Sequence, residues 1–271
     1  MTDLLGAIDL ANPLVNDQAT QFTWVVPDGW QQGRGSWGGL PVGVMVAAVR
    51  RAEGNAERRI RSVSLQLAAP AMVGEHHVTV TPLRVGKAMT TWDARIRDTD
   101  GGFIAGGTLI TGAPRPSREL FDDQSWSPLT PPASPSWEMV PVAPTPPPFP
   151  TFTQHCEYRP ISGAPLQGGY AETLGWVNYR TPIEWSEAAL IALADAWYTV
   201  TLVPLTQLLP VGTINFSANL LIDPATLTPG EPLLHHGLVT GSMDGYASEQ
   251  RRLWTRDGRL AVDNLQSVAV G

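Results

Sequence analysis

Two stretches of the chain carry apolar side chains in the manner of helices. Residues 41–51 are apolar on almost every face, the pattern of a helix covered on all sides. A second helix is predicted over 187–198, with Ser186 suited to cap it and Glu187 in the first turn, where the helix dipole favours an anion. Elsewhere apolar and polar residues alternate as in half-buried strands. Residues 89–101 and 246–258 are each 13 long, each end in Asp-Gly and lie 157 positions apart. Asp-Gly between alternating runs predicts a hairpin with a type I′ turn at Asp100-Gly101 and at Asp257-Gly258. Strands follow each turn, over 103–111 and 259–270, and a further strand precedes each hairpin, over 62–69 and 213–222. Each half thus reads as one long helix followed by an antiparallel meander. An apolar helix must be covered, most economically by a sheet wrapped around it. Two such halves would pair about a pseudo-twofold axis.

Between the halves, residues 113–150 hold 12 of the 25 prolines. Proline fixes φ and removes a donor, so this stretch reads as an extended connector. Trp126, Trp137 and Phe149 within it predict that it is pinned to a domain surface as a strap. The expected division is therefore an N-terminal domain over 1–112, the connector over 113–150 and a C-terminal domain over 151–271.

Composition narrows the function. The chain has 271 residues, 43% apolar and 16% charged, with net charge −7. Its short arginine pairs lack the clustering of a nucleic-acid footprint. No apolar run is long enough to span a bilayer. A lone cysteine, Cys156, allows no intrachain disulfide, and no leader pattern is read at the N-terminus, so a cytoplasmic location is expected.

Several segments resemble the TesB-type acyl-CoA thioesterases. Trp37-Gly38-Gly39 before the first apolar helix is similar to the Gly-Gly that opens that family's first helix, and 61–66 and 84–87 resemble its following segments. Leu193-Ala194-Asp195-Ala196-Trp197 resembles the helix carrying the family's catalytic Asp. Residues 212–217 resemble the strand that begins with its catalytic Thr or Ser, and 263–268 the last strand, which carries its Gln. Ile214-Asn215-Phe216 departs from the polar pair that commonly follows the Thr. The resemblance implies an α+β tandem double hotdog, two antiparallel sheets each wrapped around a long central helix. It implies hydrolysis of acyl-CoA thioesters at Asp195, Thr213 and Gln266, with substrate contacts near Trp37, Gly38 and Gly39, and no cofactor or metal.

In chemical terms, a carboxylate among Ala192, Leu193, Ala196 and Trp197 is desolvated, which raises its pKa toward that of a working base. Thr213 and Gln266 would hold the water. Direct attack by Asp195, giving an anhydride, is the competing route. Backbone N–H groups at Gly38-Gly39 are the expected oxyanion donors. Arg34, Arg251 and Arg252 are candidates to meet the CoA phosphates. The first half has Ala47 and Ala48 in its helix and Thr108-Leu109 in its last strand, leaving Ser62 as its one polar counterpart, so one site per chain is expected. Association into a homo-oligomer would cover edges or faces left by an incomplete sheet.

Other readings compete. A silent acyl-thioester-binding protein would keep the fold without turnover. A hotdog hydratase would need a helical His, and neither predicted helix has one. His155-Cys156 are strand neighbours that point to opposite faces. His76-His77 and His235-His236 lack metal-ligand spacing and read as loop or strand-edge residues. No Gly-x-Ser-x-Gly elbow is present.

Overall fold

In the computed structural model, which describes residues 2–16, 18–115, 127–145 and 149–271, the predicted repeat appears as two copies of one topology. The first half runs α1 (Leu4–Ala7), β1 (Ala11–Val15), β2 (Thr20–Val26), α2 (Gly39–Glu53), β3 (Arg59–Leu67), β4 (Gly74–Val85), β5 (Met89–Asp98) and β6 (Phe103–Gly112). The second runs β7 (Cys156–Ser162), β8 (Glu172–Tyr179), α3 (Glu187–Leu193), β9 (Val211–Leu220), β10 (Leu233–Met243), β11 (Tyr246–Trp254) and β12 (Leu260–Val270). The sheet order is β1-β2-β4-β5-β6-β3-β9-β12-β11-β10-β8-β7. Read inward from either end, the two sequences of strands match one for one. β3 and β9 pair antiparallel at the centre, Val63 opposite Ala218 and Ser64 opposite Ser217, and join the two hotdog sheets into one of 12 strands. Even the irregularities repeat: β3 skips a residue between Ile60 and Ser62 against β6, and β9 skips one between Thr213 and Asn215 against β12.

Helix α2 is buried along most of its length, as its all-round apolar sequence requires. Gly54, at φ 64°, stops it with an N–H donated to Arg50 O, and Arg50 and Arg51 suit the negative end of its dipole. It packs against α3, with Gly43 close to Ala192. Helix α3 is shorter than predicted. It ends at Leu193 rather than near Tyr198, because the run Trp197-Tyr198-Thr199-Val200-Thr201 is aromatic and β-branched and stiff at χ1. The chain tightens there instead: the N–H groups of Ala194, Asp195 and Ala196 reach the carbonyls three residues back at 3.2, 3.0 and 3.0 Å.

Both Asp-Gly turns lie where the sequence places them but are not type I′. Only the glycines, Gly101 at φ 87° and Gly258 at φ 84°, are left-handed. Gly101 N–H donates to Asp98 O, and Gly258 N–H to Thr255 O, which makes each a type I turn closed by a left-handed glycine. The two-residue turn with both centres left-handed is Asp244-Gly245, between β10 and β11, at φ 51° and 78°.

The connector is partly seated. Trp137 and Val140 cover the outer face of the second half, over Leu174, Trp176, Leu234, Trp254 and Leu260. Arg159 stacks on the Trp137 ring at 4.1 Å and donates to the Trp137 and Val140 carbonyls, while Trp176 Nε1 donates to Pro135 O. Strand β8 is therefore buried on both faces, whereas β5 alternates. Phe149 is half exposed, and Trp126 lies outside the described residues. The outer edge strands β1 and β7 carry Pro13 and Pro160, which blunt edge-to-edge pairing.

Candidate active site

Asp195 lies two residues beyond the end of α3, facing the N-terminus of α2 from the other half. The antiparallel packing of α2 on α3 brings these ends together. Trp37 fixes the backbone at this point: its indole N–H donates to Asp195 O at 2.9 Å. That ring is one of four near-parallel rings, Phe152, Trp37, Trp30 and His155, with successive centroids 5.1, 6.0 and 3.7 Å apart. Gly39 must be a glycine because a Cβ would enter the Trp37 ring, and at Gly38 a Cβ would lie 2.8 Å from Asp195 Oδ2. The Gly39 N–H, an expected oxyanion donor, is directed instead at the Asp195 carboxylate.

The structure brings Asp195, Thr213 and Gln266 into one hydrogen-bonded chain. Thr213 Oγ1 donates to Gln266 Oε1 at 2.8 Å, and Gln266 Nε2 donates to Asp195 Oδ1 at 3.1 Å. Gln266 also donates to Asn264 Oδ1 at 3.0 Å, while Asn264 Nδ2 donates to Ser217 O at 2.9 Å, which sets both amide orientations. Gln266 is wholly buried, so both amide hydrogens and the carbonyl are committed. Thr213 sits just before the bulge of β9 and reaches Gln266 on the inner side of β12, while Ile214 turns outward. By register its counterpart in the first half is Ile60, not Ser62, because both residues stand immediately before equivalent bulges.

A cavity of about 580 Å³ opens at this chain. Asp195, Thr213, Trp197, Thr199 and Arg251 line it, facing Gly38, Pro41, Leu67 and Ala105 from the first half. A two-stranded ribbon, Gln31–Gln32 with Gly35–Ser36, forms part of the wall, with Arg34 exposed in its turn. Trp197 lines the same cavity as Asp195, since the helix ends before both residues. Its ring lies on His235, centroids 4.7 Å apart.

Burial pushes the Asp195 carboxyl up to about 6. Arg251, the Gln266 hydrogen bond and the Gly39 N–H pull the other way, and Glu249 adds to the rise. Arg251, read in the sequence as a candidate phosphate contact, is instead buried, with its guanidinium on Glu249 Oε2 at 2.7 and 3.1 Å. Arg252 is taken up by Asp263 at 3.2 Å. Arg34 keeps its place at the cavity. The histidine pairs lie within strands β4 and β10 rather than loops. Burial pushes the Cys156 thiol up to about 12, and His155 stacks on Trp30 instead of addressing it. Among the described residues, no group of three His, Cys, Asp or Glu side chains could hold a metal, and no helix is long and apolar enough to cross a membrane.

Two family models match the chain, an acyl-CoA thioesterase N-terminal domain over residues 26–112 and an acyl-CoA thioesterase C-terminal domain over 130–270. The chain belongs to the acyl-CoA thioesterase family. Thioester hydrolysis is thus the general chemistry of this thioesterase, and its resemblance to acyl-CoA thioesterases and its double-hotdog architecture hold. Among solved structures it is similar to a hotdog-fold protein of unknown function from Alicyclobacillus acidocaldarius, at TM-score 0.86 and 25% identity over 99% of this chain and 97% of that one. A Thermobifida fusca protein assigned as a thioesterase II matches at 0.79 and 20%, covering 100% and 98%. The acyl-CoA thioesterase II TesB2 of Mycobacterium marinum matches at 0.74 and 15%, covering 99% and 98%. Among curated proteins none matches.

Sequence reasoning missed Asn264, Glu249, Thr199 and Thr201 in this thioesterase's site. The signal was present for two of them. Residues two apart on a strand share a face, so Glu249 lies on the side of Arg251, and Asn264 on the side of Gln266.

Proposed function

We propose that this thioesterase hydrolyses acyl-CoA with Asp195 as general base. The observation that carries the reading is the chain Thr213–Gln266–Asp195 on the wall of a cavity, with a carboxylate whose pKa lies near 6. Gln266 has no free hydrogen, so its role is to hold Asp195 Oδ1 and orient the Thr213 hydroxyl; Thr213 Oγ1 and Asp195 Oδ2 then receive the attacking water. The water loses its proton to Asp195 as its oxygen attacks the thioester carbonyl. Collapse of the tetrahedral intermediate expels the CoA thiolate, which takes the proton back. The N-terminal end of α2 gives a positive dipole end beside the developing oxyanion. Arg34 at the cavity meets a CoA phosphate. In this reading residues 1–112 form the N-terminal domain and one cavity wall, 113–150 the covering connector, and 151–271 the C-terminal domain that carries the reacting groups.

The test is thiol release from a panel of acyl-CoAs, short, long and aromatic, by the native chain and by Asp195→Asn. Turnover that collapses in the variant supports the reading, and the panel sets the acyl length. Tight acyl-CoA binding with no turnover of any substrate makes the chain a binding protein. Activity that survives the substitution removes Asp195 as the base.

A further inference from the structure

Beneath Asp195 lie two charged side chains that the chemistry above leaves unused. Arg251 and Glu249 are two residues apart on β11 and so share a face. Arg251 is 2% exposed and Glu249 0%. Arg251 NH1 lies 3.6 Å from Asp195 Oδ1 and donates to Trp197 O at 3.3 Å, while its Nε and NH2 donate to Glu249 Oε2. The other Glu249 oxygen accepts from the Thr201 N–H at 2.9 Å, from Thr201 Oγ1 at 3.0 Å and from Thr199 Oγ1. Each charged atom has a partner whose own position is fixed.

We propose that Arg251 and Glu249 form a buried positioning pair: Glu249, anchored by Thr199 and Thr201, aims the guanidinium at the Oδ1 side of Asp195, so that Oδ2 is left facing the cavity beside Gly38. The proposal rests on Asp195 being the base. Its strongest support is the first half of the same molecule. Gln266 stands opposite Glu249 across β12 and β11, and the equivalent pair across β6 and β5 is Leu109 opposite Trp92; two residues on, Arg251 corresponds to Ala94. The topology therefore forms with tryptophan and alanine at these positions. Burying an ion pair is a net cost unless its geometry is excellent, and apolar replacement is often neutral or stabilising. The pair is kept in the half that contains Asp195 and is absent from the half that does not.

The pair also sets the charge that Asp195 feels. The groups facing it are Arg251 and Glu249 from β11, Gln266 from β12, the Gly39 N–H from α2 and Tyr158 from β7, the last kept neutral by burial. His235 of β10, stacked behind Trp197 and facing Arg251, is pushed well below its ordinary range by burial and then by Arg251, so it is neutral too. Glu249 itself is pushed up by burial, but Arg251, Thr199 and Thr201 outweigh that and leave it below the ordinary range, hence ionised. Arg251 stabilises the Asp195 anion, and Glu249 tempers Arg251.

The experiment is the pH dependence of kcat for acyl-CoA hydrolysis in the native chain, Glu249→Gln, Arg251→Met, Arg251→Lys and Asp195→Asn, with melting temperatures measured alongside. Glu249→Gln, nearly isosteric, removes the tempering anion, so the acid limb should move down by about one pH unit. Arg251→Met should move it up by about as much and lower kcat up to about 100-fold through misplacement of the carboxylate, with KM little changed. Arg251→Lys keeps the charge and should return the limb most of the way. Folded Glu249→Gln and Arg251→Met variants with the native limb would overturn the proposal and leave the pair a packing element. Should Arg251→Met not fold, the direction of the Glu249→Gln shift decides alone. Full activity in Asp195→Asn would instead remove the base assignment, and this proposal with it.

Discussion

The two halves of this thioesterase share a topology, a register and even a bulge, yet at four equivalent positions they differ in kind. The second half places Thr213, Glu249, Arg251 and Gln266 where the first has Ile60, Trp92, Ala94 and Leu109. In the first half those side chains complete the core; Trp92 satisfies its N–H on Glu53 and Thr111, at 3.3 and 3.1 Å. There the facing helix ends are held by Glu187, which accepts the Ile60 N–H at 2.8 Å and pairs with Arg50 at 2.6 Å. The same fold therefore solves one problem twice. In the first half those four sheet positions close with apolar groups, and the carboxylates nearby, Glu53 and Glu187, are paired with Arg58 and Arg50. Where Asp195 sits next to a cavity, the same four positions carry hydrogen-bonding or charged groups, because an unpartnered buried polar group costs about 1–3 kcal/mol.

The largest expected effect comes from removing the distinguishing carboxylate. Asp195→Asn should lower kcat by about 10²–10⁴-fold, the usual worth of a general base. Nothing comparable should follow at the equivalent strand positions of the first half; Leu109→Gln should leave kcat near native but cost about 2–3 kcal/mol in chemical denaturation, since its amide finds an apolar site. A loss of activity in Leu109→Gln matching that in Asp195→Asn, in a folded protein, would break the comparison. Next comes the meeting point of the halves. Gly38→Ala puts a methyl 2.8 Å from Asp195 Oδ2 and should cut kcat up to about 100-fold while thermal unfolding changes little.

The pH dependence sharpens the comparison further. With the Asp195 carboxyl raised to about 6, kcat/KM should climb as pH rises through about 6 and fall away below it, as read by thiol release across that range. For stability the sign is opposite. A carboxyl whose folded pKa is raised contributes stability in its neutral form, fully present below its unfolded value of 3.8 and lost as pH rises through about 6. Asp195→Asn should therefore be more stable than the native chain above pH 6, by about 1–3 kcal/mol at pH 8, and should lose that advantage at pH 4. The smallest effect belongs to the connector, whose Trp137 and Val140 cover the second half. Trp137→Ala should lower stability by about 1–2 kcal/mol through lost apolar cover and the Arg159 stack, with kcat unchanged.

Much of this architecture is legible along the chain. The all-round apolar run around Val44 could only be a covered helix, and two Asp-Gly hairpins 157 positions apart exposed the duplication. The resemblance in three short segments pointed to Asp195, Thr213 and Gln266, which the fold then places in one hydrogen-bonded chain. The end of α3 was misjudged because helix signals persist through Asp195, while the aromatic and β-branched run beyond it acts only weakly on any one residue. The strands β4 and β10 hid their histidines for a similar reason: His-His pairs carry no alternation of polarity, so only the ladder partners reveal that His235 turns inward and His236 outward.

What local pattern determined here was the repeated order of helix and strands, because apolar periodicity and turn chemistry act over a few residues. Tertiary structure alone decided which groups would surround the residues that the sequence indicates in the second half. The antiparallel packing of α2 on α3 carries Gly38 of one half to Asp195 of the other, and the ladder sets Arg251 and Glu249 beneath it. Such meetings between residues far apart in sequence leave no periodic trace in the chain. They arise from register and burial, which bring distant groups together and then require each buried charge to find a partner.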